Sequence, residues 1–251
     1  MCNGSIMDKL ISFSLPLMVS GILQLAFNAV DIIVVGRFSG SQALAAVGST
    51  TALINVFTNL FIGISLGANV LAARFYAAGK DREMSETVHT SITLALISGI
   101  MMAVIGVLLA KWALEIMGTP DDVIGQSALY MRIYFMGMPF FMLYNYGAAI
   151  LRAIGDTKRP LIFLIISGIA NAALNMILVI LFHMGVAGVA IGTIISQLIS
   201  CVLVLTCLYR SEGSYQLRFS KLKINGAYME QIFQVGVPAG IQSTVINFSN
   251  V

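Results

Sequence analysis

The first apolar stretch of the chain, residues 10–36, carries a line of polar side chains that includes a carboxylate. Helical spacing places four of them on one face: Ser20, Gln24, Asn28 and Asp31. Asp31 is the only acidic residue inside any apolar stretch of the sequence. A carboxylate within a membrane costs about 2.5–3.5 kcal/mol on insertion scales, so it is a functional candidate by default. Without an intramembrane Lys or Arg beside it, this carboxylate requires either a proton or a cation.

Two further pairs of polar residues have the spacing of neighbours on one helix face. They are Asn171 with Asn175, and Thr193 with Gln197. Each pair could belong to a binding site, or could bond neighbouring helices together at about 0.6 kcal/mol per bond. The sequence contains no glycine-rich phosphate loop, no Ser/His/Asp set and no His or Cys spacing typical of a metal site. These patterns predict neither an enzyme nor a metal site.

The elements that carry these residues are predicted to be membrane-spanning helices. Of the 251 residues, 58% are hydrophobic and 10% are charged, whereas soluble domains are about half apolar and a quarter charged. Six apolar stretches are long enough to cross a bilayer, which takes about 20 helical residues. They are residues 10–36, 44–74, 88–112, 124–151, 160–182 and 186–209, and a seventh begins near residue 235. The sequence therefore predicts an all-α membrane protein, a six-helix transmembrane bundle plus the start of a seventh helix.

The basic residues predict the orientation of these helices. The N-terminal end and every second joint between helices hold 11 of the 14 Lys and Arg residues, and the opposite side holds Arg37, Lys111 and Arg132. Cytoplasmic loops carry an excess of Lys and Arg, so we expect a multi-pass protein of the plasma (cell inner) membrane with a cytoplasmic N-terminus. The net charge of +3 is modest and is typical of positive loops at a membrane surface, not of a nucleic-acid-binding protein.

The chain divides into three predicted parts. Residues 1–209 form the N-terminal six-helix lobe, residues 210–234 a cytoplasmic linker, and residues 235–251 the start of a second lobe. Within the linker, residues 220–230 are predicted to form an amphipathic helix on the membrane surface. Residues 238–250 align without gaps on residues 16–28, matching Pro238 with Pro16 and Asn250 with Asn28. Such a repeat suggests two homologous halves, and we therefore expect a C-terminal lobe beyond this chain.

Several motifs resemble the multidrug and toxic compound extrusion (MATE) family in order and spacing. Residues 30–36 (VDIIVVG) and 43–48 (ALAAVG) resemble its first helix and the start of its second. Residues 155–160 (GDTKRP) resemble the joint between its fourth and fifth helices. Residues 171–175 (NAALN) and 185–193 (GVAGVAIGT) resemble its fifth and sixth helices. The resemblance covers the chain from about residue 8 onward.

This resemblance implies twelve helices in two lobes around a central cavity, and exchange of an organic cation for Na⁺ or H⁺ without any other cofactor. In one branch of the family, the cation site of the N-terminal lobe maps onto Asp31, Asn171, Asn175 and Thr193, although that branch often has a second Asp at the position of Asn175. Gln24, Asn28 and Gln197 are expected to line the cavity around them. Na⁺ favours several oxygen ligands, which this set could supply, while a proton needs only Asp31.

Two other functions remain open from the sequence. The first is a flippase for a lipid-linked saccharide, from a related superfamily with the same helix plan. Such a protein is expected to line its cavity with several Arg or Lys residues that hold phosphates, and the centres of the apolar stretches contain none. The second is an inactive half-transporter that scaffolds or poisons a partner. On this evidence, a cation-coupled antiporter that exports organic cations by alternating access remains the prediction.

Overall fold

The computed structural model describes residues 6–248, and this part of the chain folds into α-helices without any β-strand. The all-α prediction is thereby confirmed. The helices are α1 (Ile6–Phe38), α2 (Gly40–Ala77), α3 (Asp81–Ile116), α4 (Asp121–Met136), α5 (Met138–Ala153), α6 (Lys158–Met176), α7 (Gly185–Arg210) and α8 (Gly226–Phe248).

Five helical stretches in the described residues are long and apolar enough to cross a membrane. They correspond to five of the six predicted spans, and most of their ends extend beyond the predicted ones into polar residues. The five are Leu10–Phe38, Gly40–Ala77, Asp81–Ile116, Lys158–Leu181 and Gly185–Arg210. The fourth of these includes a π-helical turn, Ile177–Leu181, which continues α6.

The remaining predicted span, residues 124–151, is not one helix. It consists of α4 and α5, each 16 residues long, which are separated at Gly137. The break follows from Pro139, because proline has no N–H to continue the hydrogen bonds of α4 and its ring clashes with the preceding turn. The carbonyl of Gly137 instead accepts hydrogen bonds from the backbone N–H groups of Phe140 and Phe141, each at 3.1 Å, and so begins α5.

Six of the helices form a ring. In this ring α1 packs against α6, α6 against α7, and α7 against the α4–α5 pair, which in turn packs against α2. Contacts between α1 and α2 complete it. Helix α3 packs behind α4 and α5, and α8 packs on α2 and α3. This order leaves the polar face of α1 directed toward the other members of the ring.

Helix α8 lies close against α2 because both helices carry glycines where they cross. A Cβ atom at Gly63 would lie 2.1 Å from the Cα of Gly240, and one at Gly67 would lie 2.1 Å from the carbonyl oxygen of Ile232. On α8, a Cβ at Gly236 would lie 2.6 Å from the α2 backbone. Small residues allow backbones to approach in this way, so these glycines serve helix packing.

The connection between α7 and α8 is shorter than the predicted linker and differs from it in structure. The segment predicted as an amphipathic helix holds only a 3₁₀ turn, Phe219–Lys221, before α8 begins at Gly226. Helix formation starts there because the side-chain oxygen of Asn225 accepts a hydrogen bond from the N–H of Ala227 at 3.1 Å, which satisfies one free donor of the first turn.

Hydrogen bonds attach this connection to the beginning of α3. Asn225 donates from its side chain to Glu86 at 2.9 Å and from its backbone to the Thr90 hydroxyl at 3.2 Å. The backbone N–H of Arg218 donates to Nε2 of His89 at 3.1 Å, and His89 is buried. These bonds fix the connection on the end of the bundle where α3 starts. The division into lobe, linker and second lobe itself stays a prediction.

The proposed repeat can be compared with the structure only in part. Pro16 lies inside α1 and Pro238 lies inside α8, so both aligned segments are helices with an internal proline. The second matched pair cannot be compared, because Asn250 lies outside the described residues.

Candidate functional site

The ring of helices encloses a polar cavity of about 490 Å³. Its walls come from α1, α2, α4, α5, α6 and α7, and most of its polar lining consists of hydroxyl and amide side chains. Among the described residues that line it, two carry a formal charge, Asp31 and Arg152. A largely preformed concave site with a few charged groups is the usual form of a small-molecule binding site.

The carboxylate of Asp31 is bound by an amide from α6. The side-chain nitrogen of Asn175 donates a hydrogen bond of 2.5 Å to Oδ1 of Asp31, and also lies 3.3 Å from the side-chain oxygen of Asn171. The spacing of the two asparagines places them on the same face of α6, and both are buried. This contact joins α1 to α6 through polar groups that lipid could not satisfy.

The same chain of hydrogen bonds continues to α7. The amide of Asn171 lies 3.4 Å from the hydroxyl of Thr193, and that hydroxyl donates to the carbonyl of Val189 at 2.9 Å. The structure therefore brings together all four residues that were predicted to form the cation site. Their oxygens, from one carboxylate, two amides and one hydroxyl, are the ligand types that hard cations prefer.

The three residues predicted to surround the site also line the cavity. They are Gln24, Asn28 and Gln197. Within the part of the chain that the structure describes, none of the three hydrogen-bonds to the side chain of Asp31. They are thus placed to meet a molecule in the cavity, and the four-residue network is held together without them.

Gly192 on α7 allows Asn175 to occupy its position. A Cβ atom at Gly192 would lie 2.2 Å from the side-chain oxygen of Asn175, so no larger residue fits there without displacing the amide. That oxygen is buried and has no hydrogen-bond partner among the described residues. Rotation of the Asn175 amide would turn this free oxygen toward Asp31, which becomes favourable when a proton or a metal cation lies between the two groups.

Sequence reasoning missed several residues of the cavity. Arg152 follows the predicted span 124–151 and so falls in a joint between predicted helices, but in the last turn of α5 it lines the cavity wall. Tyr130 and Tyr134, on α4, line it as well. Helical spacing on α4 would have shown that the two tyrosines share a face. No local pattern identifies Arg152, because its position depends on how α5 packs against α2, α3 and α7.

The chain is similar in sequence to a family of transporters. The family model MatE matches residues 16–177. The probable multidrug resistance protein YoeA of Bacillus subtilis is 33% identical over 248 residues, a match that covers 95% of this chain and 53% of YoeA. The multidrug export protein MepA of Staphylococcus haemolyticus is 28% identical, with 98% of this chain and 56% of MepA covered. The chain spans about half the length of the curated relatives it matches.

A solved structure has the same fold. The crystal structure of MATE in the bent conformation superimposes with a TM-score of 0.90 at 22% identity, over 98% of this chain and 55% of that chain. This similarity establishes the fold, and the apolar helices indicate a multi-pass membrane protein. Because the family model covers more than half of the sequence, and a relative above 30% identity covers nearly all of it, the chain belongs to the MatE family.

Proposed function

We propose that this chain is the N-terminal lobe of a cation-coupled antiporter that exports organic cations and drugs. The observation that carries the proposal is the carboxylate of Asp31, which lies in the wall of a polar cavity and is bound into a network with Asn175, Asn171 and Thr193. Relatives named as multidrug resistance and multidrug export proteins support the substrate class. On this proposal the protein is a transporter and not an enzyme.

Coupling requires that the cation favour one conformation of the cavity over another. In the structure, the carboxylate of Asp31 accepts a hydrogen bond from the amide of Asn175. A proton or Na⁺ on this carboxylate competes with that bond and favours rotation of the amide. The resulting rearrangement between α1 and α6 would bias the lobe toward the conformation that releases the drug. Rocking of two lobes around the cavity then completes the cycle, as in other transporters with repeated halves.

An imposed ion gradient tests this proposal directly. We expect the full-length protein in proteoliposomes to move a fluorescent organic cation against its concentration gradient when an opposing Na⁺ or pH gradient is imposed. Each gradient is tested alone, with the membrane potential clamped by K⁺ and valinomycin. The gradient that drives transport identifies the coupling ion.

Liposomes without protein and liposomes without a gradient are the controls. Transport that is equally fast with and without both gradients would show facilitated diffusion and would contradict coupling. Transport driven by ATP alone would place the protein in a different class of exporter.

We further propose that the protein lies in the plasma membrane with a cytoplasmic N-terminus, as its basic residues indicate. Labelling of single cysteines in intact cells checks this orientation. Lys80 and Lys111 are exposed near opposite ends of α3. After Cys2, Cys201 and Cys207 are replaced by Ser, a membrane-impermeant maleimide should label Lys111→Cys and leave Lys80→Cys unlabelled until the cells are opened. The reverse pattern would invert the topology.

The alternative function, a flippase for a lipid-linked saccharide, predicts several basic side chains in the cavity. One basic residue, Arg152, lines the cavity among the described residues. A single guanidinium does not make the multidentate phosphate site that a diphosphate lipid requires. The guanidinium of Arg152 instead affects which small molecules the cavity can bind.

A further inference from the structure

Arg152 is a charged group for which the described part of the protein supplies no partner. Its Nε atom is buried and has no hydrogen-bond partner there. The ion pairs within residues 6–248 all use other basic residues, namely Lys80, Arg82, Lys111 and Arg159. A guanidinium remains protonated in proteins, and a desolvated charge without a partner is costly. The side chain as a whole is half-buried and lines the cavity, so an anionic group that enters the cavity can pair with this guanidinium.

The neighbouring side chain, Tyr144, does not balance the charge of Arg152. Tyr144 lies beside Arg152 in the wall of the same cavity. Its hydroxyl hydrogen is committed to the carbonyl of Pro160, at 3.1 Å, so its orientation is fixed by α6. The hydroxyl oxygen is neutral and cannot balance a full positive charge. The guanidinium therefore remains available to a molecule in the cavity, onto which it can direct parallel N–H groups.

Arg152 and Asp31 lie at opposite ends of the cavity. Their separation can be measured along helix α6. Tyr144, beside Arg152, bonds Pro160 in the first turn of α6, and Asp31 bonds Asn175 near its end. At about 1.5 Å per residue, these two points of α6 are about 22 Å apart. The cavity lining on α1 runs over a similar length, from Leu17 to Asp31. A negative and a positive group thus face the same cavity, too far apart to neutralise each other.

From this arrangement we propose that Arg152 forms a second binding subsite in the cavity, which takes the carboxylate of a transported organic molecule. The inference rests on the proposed export function and deepens it. The cavity then accepts organic anions and zwitterions in addition to cations, with the carboxylate held at the Arg152 end and the coupling cation at Asp31. In the proposed orientation, Arg152 lies at the cytoplasmic end, where an exported molecule first meets the protein.

Two dyes that differ in one group test the subsite. The probes are a xanthene dye with a free carboxylate and the methyl ester of the same dye, which has the same ring system without the negative charge. Binding to the purified full-length protein is measured by fluorescence anisotropy, and transport is measured in proteoliposomes with the driving gradient. The variants are Arg152→Gln, which removes the charge, and Arg152→Lys, which keeps it. The control is Arg159→Gln, at an exposed residue that pairs with Asp156.

We expect Arg152→Gln to weaken binding of the carboxylate dye by about tenfold or more, because a charge-assisted hydrogen bond contributes about 1.5–3 kcal/mol. Binding and transport of the methyl ester should remain unchanged. Arg152→Lys should retain part of the affinity for the carboxylate, since it keeps the charge and loses the bidentate geometry. Arg159→Gln should bind both dyes as the wild type does.

Three results would overturn the proposal. The first is that wild-type protein binds only the ester. The second is that Arg152→Gln binds both dyes as tightly as before. The third is that this variant loses both dyes equally or becomes unstable, which would indicate that Arg152 pairs with a carboxylate elsewhere in the full-length protein. Failure of the proposed export function is a distinct outcome, because anisotropy still reports carboxylate binding when no gradient drives transport of either dye.

Discussion

Replacing Asp31 by Asn is expected to abolish drug efflux by the full-length protein while its abundance in the membrane stays unchanged. Asn has nearly the size of Asp and keeps an oxygen that can accept the hydrogen bond from Asn175, so the contact between α1 and α6 survives. A neutral amide also inserts into a membrane at lower cost than a carboxylate. The change removes only the negative charge. A neutral amide does not bind a proton near neutral pH and does not balance the charge of Na⁺.

The measurement is the rate at which preloaded cells release a fluorescent organic cation, with membrane abundance determined on the same cells. Asp8→Asn is the matched control, because it makes the same chemical change in the same helix at an exposed position in the first turn. That variant should export like the wild type. Undiminished efflux by Asp31→Asn would contradict the assignment of Asp31 as the coupling site.

The helices could be predicted from the sequence because the membrane requires long apolar stretches. Most of their ends were placed too far inward, since a helix continues into the interface where polar side chains such as Arg37 and Arg82 meet water and headgroups. The break at Gly137 was also predictable in principle. Gly137 and Pro139 both occur inside the stretch 124–151, and a proline there removes a backbone donor. A prediction based on hydrophobicity alone does not detect that a backbone N–H is missing.

The members of the site were predictable only in part. The charge of Asp31 and the spacing of Asn171 and Asn175 are local features, and each indicated a polar face. That these faces meet depends on the rotation of α1, α6 and α7 against one another, which local spacing does not determine. The resemblance to a family supplied that grouping, and the hydrogen bonds between Asp31, Asn175 and Asn171 agree with it.

Two residues show why the rest could not be read from the sequence. Arg152 follows an apolar stretch and precedes a turn, so its position in the sequence predicts a basic residue in a loop. In the structure, the packing of α5 directs it toward the cavity. His89 likewise lies near the start of a predicted span, and the structure buries it under the α7–α8 connection, where it accepts a hydrogen bond from Arg218. Both roles arise from contacts between segments far apart in the chain.

Gly192→Ala is expected to impair coupling as strongly as a change in the cation site itself, although Gly192 carries no functional group. A Cβ there would lie 2.2 Å from the side-chain oxygen of Asn175. The amide must move, and its hydrogen bonds to Asp31 and Asn171 are then lost or lengthened. The displaced amide can then no longer turn its oxygen toward an ion held at Asp31. One such contact to a charged group contributes about 1.5–3 kcal/mol, which corresponds to a loss of about tenfold or more in the apparent affinity for the coupling ion.

The variant should not fail for lack of helix stability, because Ala favours an α-helix over Gly by about 1 kcal/mol. Gly125→Ala is the matched control, since it makes the same change in α4 at a position with no atom within 4 Å of the added Cβ. Concentration dependence of efflux on the coupling ion provides the measurement. The control should match the wild type, and Gly192→Ala should need a higher ion concentration for half-maximal efflux.

A double variant decides whether Gly192 acts through Asn175. In a protein that already carries Asn175→Ala, the amide is absent and an added methyl group at Gly192 has nothing to displace. The two changes should then be non-additive, with the double variant no worse than Asn175→Ala alone, because residues in contact share one effect. If Gly192→Ala costs as much in that background as in the wild type, the glycine serves only the packing of α7 against the π-helical turn, where a Cβ at its neighbour Gly188 would already lie 3.2 Å from Leu178.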